Sequence, residues 1–506
     1  MRQKKNKFYI TTPIYYVNAS PHIGHSYTNI AADTLARAMR HSLGEKITGE
    51  KVWFLTGSDE HGQKIQRAAD EAKMSPQEFV DKVVVQFKAL WGELGISNND
   101  FIRTTEERHR RTVERVLSIL FARGDIYRSQ YEGLYCTPCE TFWLESQAAG
   151  QICPECKRPV EKIAETSYFF RMSAYQQRLI DHLKASPRFV EPRIRYNEVF
   201  SFLTMNTLTD LCISRPKGRL SWGIPLPFDP DHVTYVWFDA LINYISAVGT
   251  FGEDDQYRSS WWNPETEIVQ LIGKDIVRHH AVYWPIMLMA LGINLPDTIV
   301  AHGWWMIGED KMSKSRGNAV SPSAVVEKFG IDVYRYFLLR DVPFGTDGNF
   351  SEEALVRRFN GDLANDLGNL VYRTLTMVEK YFQGVVPPAG IPAGRAAEIY
   401  EKLRLLPGAV SERLSCDGDF NFSAALEKIW EVIAYANKYV EETKPWNLAK
   451  ENKTEELKSF IRLLVDVIRA ASAELEPFMP ATAASIKEQL GADTVRKGKP
   501  LFPRII

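Results

Sequence analysis

The chain has 506 residues, of which 45% are hydrophobic and 25% are charged, and its formal net charge is −1. This length is too great for one ordinary hydrophobic core, so we expect three or four domains of a soluble globular protein. The near-neutral charge excludes a globally basic nucleic-acid binder, so any nucleic acid must be bound by local patches.

The N-terminal part alternates short β-rich runs with amphipathic helical stretches. Four runs predict strands, at residues 8–12, 52–55, 233–237 and 268–272. Helices are expected to begin near His22 and near His61, directly after the first two runs. Strand and helix alternation predicts βαβ units and a parallel sheet, which a cysteine-bearing segment at residues 131–195 interrupts.

The C-terminal part is predicted to be helical. From about residue 351 the strand patterns cease, and helical periodicity dominates, for example at 363–381 and 422–442, with a loop at 385–390. The fold class is therefore α/β: a split, Rossmann-like parallel sheet with an insertion, followed by an all-α helical bundle. We divide the chain into residues 1–125 (first half of the sheet), 126–232 (insertion), 233–300 (second half), 301–360 (connector) and 361–506 (bundle).

No membrane association is expected. The apolar run at residues 281–293 is too short to span a bilayer and suits a buried helix. No apolar signal region follows the basic start of the chain, and six cysteines in so long a chain do not form a disulfide framework. We therefore predict a cytoplasmic protein with reduced thiols.

Four cysteines form two C-x-x-C pairs, Cys136 with Cys139 and Cys153 with Cys156. Four thiolates at this spacing match one tetrahedral Zn²⁺, and because they fill the coordination sphere, the ion would be structural. The alternative is a pair of disulfides in an oxidising compartment. Cys212 stands alone, as does Cys416, and both are predicted to be buried apolar residues.

Two histidines lie between the first predicted strand and its helix. His22 and His25 are three residues apart and share one face of the first helical turn, where unpaired N–H groups favour a phosphate. Gly24 lets a ligand approach the backbone closely. The alternative is a pair of surface or core histidines.

A second basic element lies in the connector. Lys311 and Lys314 are flanked by Gly308 and Gly317, which predicts a mobile loop whose lysines suit a polyphosphate. The alternative is an ordinary solvated basic loop.

Together, the segments His22-Ile23-Gly24-His25 and Lys311-Met312-Ser313-Lys314-Ser315 resemble the HIGH and KMSKS signatures of class I aminoacyl-tRNA synthetases. The resemblance implies that ATP binds at His22, Gly24 and His25, and that Lys311 and Lys314 stabilise the transition state. An ionised carboxylate needs no general base to attack the α-phosphate, so the site must supply positioning and cations, with Mg²⁺ arriving on the ATP.

Four further stretches, at residues 11–18, 57–62, 235–240 and 272–276, resemble methionyl-tRNA synthetases, and this likeness runs through nearly the whole chain. It implies that L-methionine is activated with ATP and transferred to the 3′ end of tRNA(Met), including initiator tRNA. It also implies a methionine pocket of Ile14, Tyr16, Asp59, Trp237, Ala240, Leu241, Tyr244, Ile276 and His280.

The residue types suit these roles. Aromatic rings make favourable contacts with a thioether sulfur, although ordinary core packing would explain the same residues. Asp59 could hold the substrate ammonium, cap a helix, or do both. Gly273 and Asp275 resemble the contacts of the family with the ATP ribose.

The resemblance extends to the helical end. Asn369 and Arg373 share a helix face, and Trp446 follows a proline suited to a helix start. By similarity these residues bind the anticodon, and Trp446 could stack on a base. The alternative is a buried tryptophan and a surface Asn–Arg pair. Because the sequence stops just past this region, without a further C-terminal module, we predict a monomer.

Two other functions remain open at this point. One is a nucleotidylyltransferase of the same fold that never binds tRNA, and the other is a non-catalytic protein that binds zinc and RNA. The cysteine pairs and helical end argue against the first, and the intact His22, His25, Lys311 and Lys314 argue against the second.

Overall fold

The computed structural model describes residues 5–136, 141–143, 148–154, 156–307, 310–311, 320–392, 394–415 and 417–505. Its first part alternates strands and helices: β1 (Lys7–Tyr16), α1 (Ile23–Leu43), β2 (Val52–Asp59), α2 (Gln63–Glu71), α3 (Pro76–Glu93), β3 (Asp100–Arg103) and α4 (Glu107–Ala122). Local sequence explains the helix ends. Ser75 and Glu78 form a capping box at the start of α3, and Gly44 ends α1 in a left-handed conformation with φ 63°.

The insertion is mostly antiparallel. Its elements are β4 (Ile126–Cys136), β5 (Thr141–Trp143), β6 (Glu161–Phe170), α5 (Gln176–Ala185), β7 (Val190–Glu191), α6 (Arg193–Met205), β8 (Leu211–Cys212), β9 (Ser214–Pro216), β10 (Pro225–Leu226) and β11 (Asp229–Thr234). Strands β5, β4, β6 and β8 form one sheet in that order, and β10, β11 and β9 form another.

The second half of the catalytic region and the connector follow. Their elements are α7 (Val236–Leu241), α8 (Asn243–Ser246), β12 (Gly249–Phe251), β13 (Tyr257–Ser259), β14 (Thr266–Gly273), α9 (Trp284–Leu291), β15 (Thr298–His302), β16 (Trp305–Ile307), β17 (Asp310–Lys311), α10 (Pro322–Phe329), α11 (Ile331–Arg340), β18 (Gly348–Asn349) and α12 (Glu352–Arg358). A π-helical turn at His279–Tyr283 leads into α9.

The C-terminal part is helical, as predicted. A π-helical segment at Phe359–Gly368 leads into α13 (Asn369–Phe382), and α14 (Arg395–Leu414), α15 (Phe422–Thr443), α16 (Pro445–Lys450), α17 (Thr454–Leu475) and α18 (Pro480–Leu490) complete the bundle. Within the described ranges, no helix combines the length and apolar character needed to cross a bilayer.

One parallel sheet organises the catalytic region. Its strand order is β3-β2-β1-β14-β15-β7, and every neighbouring pair is parallel. Because all strands point the same way, their carboxyl ends form one edge, which is where ligands bind in open α/β sheets. The sixth strand, β7, comes from within the predicted insertion and contains only two residues.

The expectation of a further parallel strand at residues 233–237 is wrong. Strand β11 pairs antiparallel with β9 and β10 in a separate sheet, and Val236 begins α7. The run Val-Thr-Tyr-Val-Trp favours a strand by composition, but a short buried apolar run is compatible with a strand or a helix, and tertiary packing decides between them.

Buried apolar residues cover both faces of the parallel sheet. On one face, α1 and α3 pack into a core that continues through α11 into the C-terminal bundle. Arg335 of α11 is fully buried there and forms an ion pair of 2.8 Å with Asp33 of α1. Its guanidinium also donates to the backbone oxygens of Phe478 at 2.8 Å and Pro477 at 3.0 Å. The sheet and the bundle therefore share one core.

Candidate active site

The carboxyl edge of the parallel sheet gathers most of the predicted site residues. Tyr16 at the end of β1 lies opposite Asp59 at the end of β2, and Gly273 at the end of β14 lies opposite His302 at the end of β15. The predicted methionine and nucleotide residues of these strands therefore share one crevice.

His22 and His25 form the head of α1. Their rings stack with centroids 3.9 Å apart. Nδ1 of His22 accepts the N–H of Gly24 at 3.1 Å, and Nδ1 of His25 accepts the N–H of His22 at 3.2 Å. Because both Nδ1 atoms accept, a neutral imidazole at either position carries its proton on Nε2. In their neutral forms, both rings therefore have their N–H donor at Nε2.

The His22 ring provides a second reason for a glycine at position 24, besides the approach of a ligand to the backbone. A Cβ at this position would lie 2.9 Å from Cε1 of His22, so any larger residue would displace the ring that caps the helix. The glycine between the two histidines is required by the capping geometry itself.

The connector begins beside the head of α1. Thr28 in α1 bonds to Nε2 of His302 at 2.7 Å, and Tyr27 packs edge-on against Trp305 of β16. Strand β16 pairs antiparallel with β17, so Lys311 at the end of β17 lies opposite Met306, the residue after Trp305. The side chain of Lys311 and all of Lys314 lie outside the described part of the chain.

Three predicted pocket residues are joined by hydrogen bonds. Nε2 of His280 lies 2.7 Å from the hydroxyl of Tyr244, and Nδ1 of His280 lies 3.0 Å from the carbonyl oxygen of Ile276. A carbonyl can only accept, so Nδ1 carries the proton and Tyr244 donates to Nε2. Burial lowers the pKa of His280 to about 4, which keeps the imidazole neutral at physiological pH.

Helix α7 contains three more of the predicted methionine-binding residues. It carries Trp237, Ala240 and Leu241, and the Trp237 ring stacks on His279 with centroids 3.9 Å apart. Burial lowers the pKa of His279 to about 3, so this ring is also neutral. Ile14 packs partly buried against the same core. Helix α7, the turn at His279–Tyr283 and Ile14 therefore bring aromatic and apolar side chains together.

Asp59 is buried, with 3% of its surface exposed, at the start of the turn after β2. It is not a helix cap, because α2 begins later and its N-cap residue is Gly62. The next residue, Glu60, accepts two bonds from Arg103, at 2.7 and 2.9 Å, and one from Thr105 at 2.5 Å. The turn that presents the Asp59 carboxylate is thus held firmly in place.

Sequence reasoning missed a charged group beside the pocket. Asp239 in α7 is fully buried and lies 2.9 Å from Nδ1 of His61 and 3.4 Å from Nε2 of His109. Burial acts to raise the pKa of Asp239, but the two imidazoles outweigh it and hold the pKa below its ordinary value. These residues lie far apart in sequence, so no local spacing could have revealed them.

Arg215 was also missed. Its guanidinium lies over the rings of Tyr135 and Tyr235, at 5.2 and 4.7 Å from their centroids, and it donates to the sulfur of Cys212 at 3.3 Å. Cys212 is buried, as predicted. Arg215 brings a positive charge to the junction between the insertion and the turn at Gly62, which lines the same small cavity.

The predicted ribose side is organised by a second ionic cluster. Asp275 follows β14 in an exposed turn, and the indole N–H of Trp304 donates to it at 3.1 Å. Lys274 lies over the Trp304 ring at 4.1 Å and donates to Asp347 at 2.6 Å. A Cβ on Gly273 would lie 2.6 Å from Asp275, so the glycine leaves room for this carboxylate.

Three cysteines of the insertion converge. The sulfur atoms of Cys136, Cys153 and Cys156 all lie within 4.8 Å of one another, and those of Cys136 and Cys156 are 3.4 Å apart. Cys139 falls outside the described residues, as does Cys416. Three convergent thiols can bind a metal ion, and their soft sulfur atoms suit a thiophilic one.

The predicted anticodon residues lie on the helical bundle. Asn369 is exposed and Arg373 partly exposed, one turn apart on α13. Trp446 follows Pro445, the first residue of α16, and 43% of its surface is exposed. An indole this exposed is available for stacking, whereas the alternative prediction of a buried tryptophan is wrong.

The fold and the crevice define a class of protein. A parallel sheet divided by an insertion, with two histidines at the head of its first helix and a helical bundle after the connector, is the arrangement of a class I aminoacyl-tRNA synthetase. The profile of the family "tRNA synthetases class I (M)" matches residues 8–165 and 159–375, and "Anticodon binding domain of methionyl tRNA ligase" matches 386–500.

Curated relatives and solved structures agree with this class. The methionine–tRNA ligase of Caldanaerobacter subterraneus subsp. tengcongensis is 47% identical over 99% of this chain and 79% of its own. That of Bacillus subtilis is 43% identical over 100% of this chain and 79% of its own. The Mycobacterium tuberculosis methionyl-tRNA synthetase in complex with methionyl-adenylate superposes with a TM-score of 0.91 at 39% identity, over 99% of this chain and all of that one. This chain belongs to the methionine–tRNA ligase family.

Proposed function

We propose that the crevice activates methionine with ATP and transfers it to the 3′-terminal adenosine of tRNA(Met). The observation that carries this proposal is the hydrogen-bonded set of Ile276, His280 and Tyr244. Helix α7, which carries Trp237, is linked to the turn after Asp59 by the 2.9 Å contact between Asp239 and His61. A buried carboxylate at one end and an aromatic, neutral pocket at the other match the ammonium and the thioether of methionine.

Methionine would bind with its ammonium on Asp59 and its side chain among Tyr16, Ile14 and the residues of α7 and α8. Its carboxylate oxygen attacks the α-phosphorus of ATP, so a carbonyl–oxygen–phosphorus bond forms and pyrophosphate leaves with the bonding electron pair. The carboxylate is already ionised, and the reaction depends on in-line positioning. In the second step, a ribose hydroxyl of the tRNA attacks the carbonyl carbon and AMP leaves.

The nucleotide would be held from two sides. The Nε2–H groups of His22 and His25 donate to phosphate oxygens, and Gly273 with Asp275 contacts the ribose. Lys311 and Lys314 balance the charge that develops on pyrophosphate, and Mg²⁺ arrives with the ATP. The pairing of Lys311 with Met306, next to the Trp305 ring that contacts Tyr27 of α1, supports this arrangement.

Amino-acid-dependent ATP–pyrophosphate exchange tests this function. We expect exchange with methionine alone among the twenty amino acids, and a sharply raised KM for methionine in the Asp59→Asn variant. Lys314→Ala should slow the exchange with little change in the KM for methionine. Exchange driven by a compound other than an amino acid, or no exchange at all, would contradict the proposal.

We also propose one zinc ion bound by Cys136, Cys139, Cys153 and Cys156. The convergence of the three described sulfur atoms supports it. The ion would close the knuckle and so fix the tip of the insertion, with no part in bond making. We also propose the cytoplasm as the compartment of the protein, because thiolates that bind a zinc ion must stay reduced.

For tRNA, we propose that Asn369, Arg373 and Trp446 bind the anticodon of initiator and elongator tRNA(Met) alike. The exposure of Trp446 supports a stacking role. Charging both purified tRNAs in parallel tests this, since a failure with either one would contradict it. The monomeric state stays a prediction, to be measured by sedimentation.

A further inference from the structure

The carboxylate of Asp239 connects three segments of the chain that are distant in sequence. One oxygen lies 2.9 Å from Nδ1 of His61, in the turn after β2, and the other lies 3.4 Å from Nε2 of His109, in α4. All three side chains are buried, with exposed fractions of 0% for Asp239, 5% for His61 and 0% for His109. A buried carboxylate with two imidazole partners is costly to disturb, because removing one partner leaves a polar group unpaired.

The two ends of this bridge lie next to opposite ends of the proposed methionine pocket. His61 is two residues after Asp59, which would bind the ammonium. Asp239 is two residues after Trp237 and directly precedes Ala240, in the helix that would line the side chain. The bridge therefore ties the ammonium end to the thioether end.

The turn that carries His61 is fixed on its other sides. Arg103 and Thr105 hold the Glu60 carboxylate, and the indole N–H of Trp222 donates to the Glu60 carbonyl at 2.5 Å. The first two contacts join the turn to the region around β3, and the third joins it to the insertion. The His61–Asp239 bond adds the tie to α7.

The bridge also reaches α8. Nδ1 of His109 lies 2.9 Å from the hydroxyl of Ser246, which in turn donates to the backbone oxygen of Asn243 at 3.2 Å. Tyr244, whose hydroxyl contacts His280 in the pocket, is the next residue. One buried carboxylate thus orders both short helices that form the pocket wall.

We propose that Asp239 is a positioning residue that sets the separation between the Asp59 carboxylate and the aromatic wall of the methionine pocket. It never contacts the substrate and acts through His61 and α7. The proposal rests on the proposed function, because it requires methionine to lie between Asp59 and Trp237. A fixed separation selects side-chain length, so loosening the bridge should weaken methionine binding and reduce discrimination against a shorter thioether amino acid.

The test uses Asp239→Asn in the full-length protein. An amide carries no charge and has only one acceptor oxygen, so the negative charge that attracts both imidazoles is lost at nearly constant volume. In ATP–pyrophosphate exchange we expect the KM for methionine to rise about tenfold and the KM for ATP to stay within about twofold. The preference for methionine over S-methylcysteine, which is one methylene shorter, should fall about fivefold.

Asp332→Asn is the matched control. Asp332 is also a buried carboxylate, with 6% exposed, and it accepts the N–H of Thr482 at 2.5 Å on α11, a helix that carries none of the proposed methionine-binding residues. It should leave both the KM for methionine and the preference against S-methylcysteine unchanged. A purely structural role for Asp239 would give the same pattern and would overturn the proposal.

A double-mutant cycle isolates the bridge. If Asp239 acts through His61, the losses from His61→Asn and Asp239→Asn should not multiply, and the double variant should resemble Asp239→Asn. Losses that multiply would overturn the proposal. If Asp239→Asn does not fold, His61→Asn alone should still raise the KM for methionine at least threefold at an unchanged KM for ATP, and an unchanged methionine KM would overturn it.

Asp59→Asn separates failure of this inference from failure of the proposed function. If Asp59→Asn leaves the KM for methionine unchanged, the assignment of the pocket itself has failed. If Asp59→Asn raises that KM and Asp239→Asn does not, the pocket stands and the positioning role of Asp239 is refuted.

Discussion

Removing one hydroxyl group from the pocket should weaken methionine binding by a calculable amount. Tyr244 is 1% exposed, and its O–H donates to Nε2 of His280 at 2.7 Å. The imidazole cannot satisfy this nitrogen by changing tautomer, because Nδ1–H is committed to the Ile276 carbonyl. In Tyr244→Phe, Nε2 therefore loses its donor.

The size of the effect on methionine binding depends on whether water can reach Nε2 of His280. We expect that in the free Tyr244→Phe variant a water molecule takes the place of the lost hydroxyl and donates to Nε2, whereas bound methionine would exclude it. The unpaired acceptor should then cost about 1–2 kcal/mol, mostly in the substrate complex. At about 1.4 kcal/mol per factor of ten, this raises the KM for methionine roughly 5- to 30-fold. The KM for ATP should stay within about twofold.

Tyr9→Phe is the matched control, measured by the same exchange assay. Tyr9 is also fully buried, and its hydroxyl donates to the backbone oxygen of Tyr244 at 2.9 Å, outside the pocket. This variant should be less stable but keep the methionine KM within about twofold. An unchanged KM in Tyr244→Phe, or an equal rise in Tyr9→Phe, would refute the reasoning.

Three further predictions concern pH, metal and tRNA. Burial depresses the pKa of His280 from its ordinary 6.5 to about 4, so the unfolded chain takes up a proton before the folded protein does as the pH falls. The neutral, buried imidazole is therefore compatible with full stability above the ordinary pKa, and stability is lost as the pH falls below it. Between pH 7.5 and 5 this amounts to roughly 2 kcal/mol, so thermal unfolding should depend less on pH in His280→Asn, and equal pH dependence would contradict this. Elemental analysis should find one zinc per chain, lost in Cys153→Ser and kept in Cys212→Ser; retention in both would exclude the knuckle as the site. Trp446→Ala should lower kcat/KM for tRNA charging about 10- to 100-fold and leave pyrophosphate exchange unchanged, and a matching loss in exchange would argue against an anticodon role.

Local patterns predicted those parts of the protein whose residues are close in sequence. His22 and His25 lie within one turn, so their spacing alone placed both rings on one face of α1. Cys153 and Cys156 likewise lie three residues apart, and their sulfur atoms lie within 4.8 Å of each other. Strands β1, β2 and β14 each had enough consecutive apolar residues to be recognised.

The remaining features depend on contacts between distant segments. Strand β7 has two residues and is defined only by its pairing with β15, so its own composition carries no signal. Asp239, His61 and His109 meet from positions as much as 178 residues apart. The residues around Trp237 are strongly β-forming, yet packing against the pocket makes them helical.

The buried pair of Arg335 and Asp33 has a consequence for the evolution of the chain. If the last third of the polypeptide were cut away, the Arg335 guanidinium would keep Asp33 but lose the Pro477 and Phe478 carbonyls as acceptors. The apolar surface that α11 buries against the bundle would also be exposed to water. Genes encoding residues 5–360 and 361–505 separately should therefore yield halves that aggregate when expressed alone and remain in solution when co-expressed. We therefore expect the sheet region and the helical bundle to be inherited as one unit, because each buries part of the same core.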